Sequence, residues 1–139
     1  MSAVRRIIRA AMTTDFKLTP HADYLHVALA PGYEIRPAGA AELMKSVSDV
    51  CARQGQRRVL IEGTVAARRM ATMDSFSVGT LAGSMLAGVS LACCFYGYKP
   101  DDKSQFFKDV AQNRGVRVEF FGERDAALRW LGVGPPPPV

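Results

Sequence analysis
Apolar and polar positions along this chain fall into two alternating periods, one of two residues and one close to 3.6. Residues 24–29 show the first clear pattern, with Leu25, Val27 and Leu29 on one side and Tyr24, His26 and Ala28 on the other. That period belongs to a strand with two unlike faces. A shorter strand candidate at 16–18, Phe-Lys-Leu, precedes it through Thr19-Pro20-His21, and Pro31-Gly32 ends it, so a β-hairpin is expected at the start. Residues 38–53 switch to helical spacing: Leu43, Val47, Val50 and Cys51 form a stripe, while Glu42 and either Lys45 or Ser46 face outward. Gly55 is placed to end that helix in the left-handed conformation. Residues 58–61 read as a short buried strand, followed by a loop through Glu62-Gly63-Thr64 and residues 66–69. Residues 89–96, Val-Ser-Leu-Ala-Cys-Cys-Phe-Tyr, are almost wholly apolar. A parallel strand covered on both faces has this composition.

Past the exit loop Tyr98-Lys99-Pro100, Asp101 or Asp102 is expected to cap a helix, and Asp102 with Gln105 has capping-box spacing. Phe106, Phe107, Val110 and Ala111 mark its apolar side, and Gly115 ends it. Val116, Val118 and Phe120 share one face of a last strand at 116–121. The last helix, 124–131, turns Ala127, Leu128 and Leu131 inward, holds Trp130 at its edge and closes at Gly132. The order β-β-α-β-α-β-α-β-α predicts an α/β fold. Its core is a single-domain mixed, mostly parallel sheet with an N-terminal hairpin and about four helices. Residues 1–12 are expected to be a basic N-terminal extension, 13–132 the domain, and 133–139 a Pro-rich tail. The extension reads first as a flexible arm or as sequence upstream of a start at Met12, and after these as a short amphipathic helix.

The stretch that organises the rest is 73–88, Met-Asp-Ser-Phe-Ser-Val-Gly-Thr-Leu-Ala-Gly-Ser-Met-Leu-Ala-Gly. Asp74 and Ser75 are favoured helix N-caps, because their side-chain oxygens accept from the free N–H groups of a first turn. Val78, Leu81, Met85 and Leu86 follow at helical spacing. Gly79 and Gly83 lie on one face, and each costs about 1 kcal/mol against Ala inside a helix. Close approach to another element, most simply the sheet beneath, accounts for them.

Composition narrows the function classes. The 139 residues are 48% hydrophobic, enough for one buried core, and carry 18 Lys+Arg against 13 Asp+Glu. Arg5, Arg6 and Arg9 stand in the first twelve positions, which leaves fifteen basic against thirteen acidic residues in the remainder. That is no nucleic-acid footprint, which would be strongly basic and gathered on one face. Cys51, Cys93 and Cys94 form no metal-ligand spacing and read as reduced, buried thiols in a cytoplasmic protein. No apolar run of about 20 residues suits a membrane span. His21 and His26 have no Cys, Asp or Ser nearby in a catalytic pattern and are assigned surface or strand-packing roles. No phosphate-binding glycine loop, dinucleotide fingerprint or nucleophile elbow is present. Catalytic residues, metal and cofactor are therefore all expected to be absent.

Met73-Asp74-Ser75-Phe76-Ser77-Val78-Gly79-Thr80-Leu81 resembles the helix-start motif of STAS domains, the fold of bacterial anti-sigma-factor antagonists. The segments Phe107-x-x-Val110-Ala111-x-Asn113-Arg114-Gly115-Val116 and Ala126-Ala127-Leu128-x-Trp130-Leu131 are similar to small SpoIIAA-like proteins of the STAS/SEC14 type. The resemblance runs from about Thr14 to Gly132. It implies that Ser75 is a regulatory phosphorylation site, in a position whose free N–H donors and helix dipole suit a phosphate. Arg68 and Arg69, just upstream, could pair with it. Phe76 replaces the motif's second serine and Ser77 its first glycine, and Glu62-Gly63-Thr64 departs from the approach loop of partner-switching members.

Ser75 thus carries two readings, a helix cap and a regulated serine. The rim that parallel strands form at their carboxyl ends would gather Glu62-Gly63-Thr64, Tyr96-Gly97-Tyr98-Lys99 and Gly122-Glu123 near the Ser75 helix start. Partner or ligand contacts are expected from Asp74, Phe76, Ser77, Arg68, Arg69, Tyr98 and Lys99. The leading expectation is a non-enzymatic regulatory or protein-interaction domain, whose partner is a regulator or a kinase-like anti-sigma factor. The alternative is a small-molecule or lipid-binding carrier of the SEC14-like type. A homodimer through Phe76 and Trp130 is a third expectation.

Overall fold
The computed structural model describes residues 16–31, 37–64, 72–96 and 102–133, with the side chains of 37–38, 72–77 and 102–104 outside that description. Five strands, β1 (Phe16–Pro20), β2 (Leu25–Leu29), β3 (Arg58–Thr64), β4 (Ser90–Tyr96) and β5 (Arg117–Phe121), form one sheet in sequence order. The first pair is antiparallel and the other three pairs are parallel. Four helices join or follow them: α1 (Pro37–Gln54), α2 (Thr72–Leu86), α3 (Asp102–Asn113) and α4 (Arg124–Leu131). The α/β architecture expected from the periodicity is the one present.

Parallel neighbours in sequence order fix the layers. Each βαβ crossover is right-handed by strong preference, so successive steps in one direction put α1, α2 and α3 on the same face. Packing agrees. Phe16, Leu25, Val27, Val59, Leu91, Cys93 and Val118 point into one core with Val47 of α1, Ala82 of α2 and Ala111 of α3. The opposite face is covered differently: Leu60, Ala92 and Cys94 meet Ala127, Leu128 and Leu131 of α4. The adjacent Cys93 and Cys94 therefore enter opposite cores, as consecutive strand residues must, and all three cysteines are free and buried.

Several boundaries differ from the sequence expectation. Helix α2 is under way at Thr72, so Asp74 and Ser75 are its third and fourth residues and stand inside the first turn. They do not hold the cap position. Strand β3 runs to Thr64, so Glu62-Gly63-Thr64 is strand where a loop was expected. Gly63 permits this, because a Cβ there would stand 2.9 Å from Leu29 Cβ on the neighbouring strand. Gln105 Nε2 donates forward to Asp109 Oδ1 at 2.8 Å, and the Asp102 side chain of the expected capping box lies outside the described residues. The last helix does close as read: Gly132 adopts φ 77° and the Val133 N–H reaches Leu128 O at 3.1 Å, the Schellman pattern.

The two central glycines serve a different neighbour from the one expected. A Cβ on Gly79 would lie 2.8 Å from Val110 Cγ1 and 3.3 Å from the Phe107 carbonyl, and one on Gly83 would collide with the Arg114 side chain. Both contacts belong to α3 and its end, so the glycines set the distance between helices α2 and α3, not between helix and sheet. Gly79→Ala and Gly83→Ala are each expected to lower stability by about 1–3 kcal/mol, the usual effect of overpacking. Gly122→Ala, where nothing lies within 4 Å, should stay within about 0.5 kcal/mol. Urea unfolding at constant m-value measures all three.

Candidate functional site
Among the described residues, the sheet's second face is covered in part. Helix α4 packs on β3, β4 and β5, and the side chains beyond it change character along a single diagonal. Register places Glu62 directly opposite Ala28 on β2 and Cys94 on β4. His26 and Tyr96 are then its diagonal neighbours on the two flanking strands, within reach of long side chains. His26 Nε2 lies 2.7 Å from Glu62 Oε1, and the Tyr96 hydroxyl donates to Oε2. Arg124, the first residue of α4, brings its Nε to 3.9 Å from Oε1. One carboxylate thus ties β2, β3, β4 and α4 together near the carboxyl ends of the parallel strands.

The surroundings order the protonation states. Burial pushes the Glu62 carboxyl up, but the Tyr96 hydroxyl, the His26 ring and the Arg124 guanidinium outweigh it and hold the group below its ordinary range. Tyr96 is raised, first by its hydrogen bond to Glu62 and then by burial, and so stays a protonated donor. Cys94, fully buried under the cluster, is raised by burial first and by the nearby Glu62 charge, against a lowering contact with Tyr96. It remains a thiol rather than a nucleophilic thiolate. His26 Nε2 meets the carboxylate from β2. Behind it, the His21 and Tyr24 rings stack at 4.8 Å, and Gln56 Nε2 donates to Tyr24 O at 3.1 Å and to His21 O. These contacts pin the hairpin turn to the α1–β3 connection.

His26, assigned a surface or strand-packing role from the sequence, meets a carboxylate that no local spacing reveals. Tyr24, His26, Glu62 and Tyr96 occupy same-face positions on three strands, a signal visible only once strand order and register are known. Of the residues expected at the rim, Arg68, Arg69, Tyr98 and Lys99 lie outside the described residues. Asp74, Ser75, Phe76 and Ser77 are placed by backbone in the first turns of α2, and their side chains lie outside the description. Glu62 and Tyr96 do meet, as the convergence of strand ends required. Trp130 is half-buried, against Phe121 at 5.9 Å between ring centroids and under the Arg117 guanidinium at 4.8 Å.

A cleft of about 420 Å³ opens at the other end of the sheet, lined by Cys51, Gln56, Arg57, Met85, Leu86 and Val89 among others. Burial raises the Cys51 thiol there to about 11. Among the described residues, no group of three or more His, Cys, Asp or Glu side chains could hold a metal ion. No described helix is long and apolar enough to cross a membrane. No known protein-family model matches the chain, and no curated protein matches it.

Because the folded Glu62 carboxyl lies below its ordinary value of 4.5, its contribution to stability is present above that pH. It is lost as pH falls through the lower folded value. Glu62→Gln should cost about 1–3 kcal/mol at pH 7, the range for hydrogen bonds to a charged group. At pH 3 that difference should be smaller. Urea unfolding of both proteins at the two pH values measures it, and an equal loss at both would assign the effect to packing alone.

Proposed function
We propose that this chain is a non-enzymatic, STAS-like regulatory domain of the bacterial cytoplasm that docks a protein partner around the start of α2. The observation that carries the reading is position. Helix α2 is the element that follows the carboxyl end of β3 in the chain, with Met73-Asp74-Ser75 in its first turn. N–H groups of a first helical turn lack intrahelical acceptors and carry the positive end of the dipole. A phosphate on Ser75 would add nearly two negative charges at that end. Such a change alters what the rim can bind. The partner class is a regulator or a kinase-like anti-sigma factor.

The test uses wild-type, Ser75→Ala and Ser75→Asp proteins as baits in native bacterial lysate, read by mass spectrometry. A partner held by wild type and Ser75→Ala and reduced at least tenfold by Ser75→Asp is the expected result. Equal recovery by all three removes the switch, and no specific partner on any bait removes the docking reading. A second reading, a small-molecule or lipid carrier, draws on the 420 Å³ cleft with Cys51, Met85, Leu86 and Val89 in its wall. Organic extraction of purified protein followed by mass spectrometry tests it, and an empty extract counts against it.

A further inference from the structure
Strand β5 ends the sheet, and its outer edge is not left bare. The Arg117 N–H bonds to Val89 O on the β4 side. Val118 and Phe120 therefore direct their backbone groups away from the sheet, since successive strand residues alternate. An exposed row of this kind is a template for pairing with another strand. Here helix α3 reaches around the edge to occupy it. Gln112 Nε2 donates to the outward Val118 carbonyl at 3.1 Å. Glu119 Oε2 accepts from the outward Phe120 N–H at 3.2 Å. Lys108 Nζ holds that carboxylate at 2.9 and 3.0 Å. Lys108 comes from the three-helix face and Glu119 from the opposite one, so their ion pair straddles the edge.

The residues beneath this cap are self-complementary. Arg117 and Glu119 lie on the same face, one on each side of Val118. In an antiparallel pairing of two β5 strands about a two-fold axis at Val118, Arg117 of one copy stands opposite Glu119 of the other, twice. Directly opposed unlike charges favour such a register, and like charges would oppose it. A two-fold pairing of identical surfaces is also self-closing.

We propose that the β5 edge is a latent pairing surface for a second copy of this chain, held shut by the Lys108–Glu119–Gln112 side-chain cap. Opening the cap extends two five-stranded sheets into one, with Val118 at the centre and two Arg117–Glu119 pairs across the join. The edge contacts belong to β5 and α3, apart from Ser75 on α2.

The test is sedimentation of the full chain carrying Lys108→Ala and Gln112→Ala, which releases the cap and leaves Glu119 available. The double variant should dimerise at least tenfold more tightly than wild type, moving toward twice the 15.1 kDa monomer mass. Adding Arg117→Glu should return it to monomer, and the swap Arg117→Glu with Glu119→Arg should restore the dimer. An unchanged monomer for the double variant overturns the proposal, as does a dimer indifferent to Arg117→Glu. Should the double variant lose its cooperative thermal transition, Arg117→Cys with Glu119→Cys in otherwise wild-type protein decides the matter. Under mild oxidation it should give a reducible dimer through cross-strand bridges, and a monomer there overturns the proposal.

Discussion
Three crossover helices must share one face of this sheet, and most of the molecule follows from that constraint. Strands β2 to β5 are parallel and adjacent in sequence order, so every right-handed crossover returns over the same side. Three helices side by side need room, and α2 lies between the other two. Gly79 and Gly83 give it that room by letting the α3 side chains Val110 and Arg114 approach the α2 backbone. The conformational cost of glycine inside a helix is small beside the burial achieved. A fully buried Val or Leu contributes about 1.5–3 kcal/mol, and Val47, Val59, Leu91 and Val118 are at most 2% exposed.

The same asymmetry produces the polar cluster. With one helix, α4, left for the second face, apolar side chains suffice where it packs, at Leu60, Ala92 and Cys94. Farther along the strands the face must satisfy itself. Glu62 does so by accepting from groups on both neighbouring strands and by lying beside the first residue of α4. A carboxylate with these partners stays ionised although half-withdrawn from water. The β5 edge is handled in the same way, with side chains of α3 and Glu119 supplying partners that a sixth strand would otherwise provide. In both places polar residues stand where the layers end.

Fold class was legible from the chain because periodicity reports how many faces of an element are covered. Residues 24–29 alternate because β2 has two unlike faces, and 91–95 are apolar throughout because β4 is buried on both. The glycine at position 132 announced the end of α4 by its fit to the left-handed conformation. Boundaries were less legible. Glu62-Gly63-Thr64 looked like a loop, since glycine and polar residues weaken a strand signal, yet pairing with β4 on one side and the close approach of Leu29 on the other keep it extended. Asp74 and Ser75 looked like caps, but the helix was already running.

The amino-acid sequence by itself determined the number and type of elements, the buried free thiols, and the presence of a helix with two glycines on one side. Each of these depends on local spacing and side-chain type. Tertiary structure alone decided that the glycines face α3, that Glu62 joins His26 to Tyr96, and that Gln112 and Glu119 close the β5 edge. Those are contacts between segments whose relative register no local pattern encodes. Strand order and register bring residues 36 and 34 positions apart onto one carboxylate, and only the packed sheet sets them.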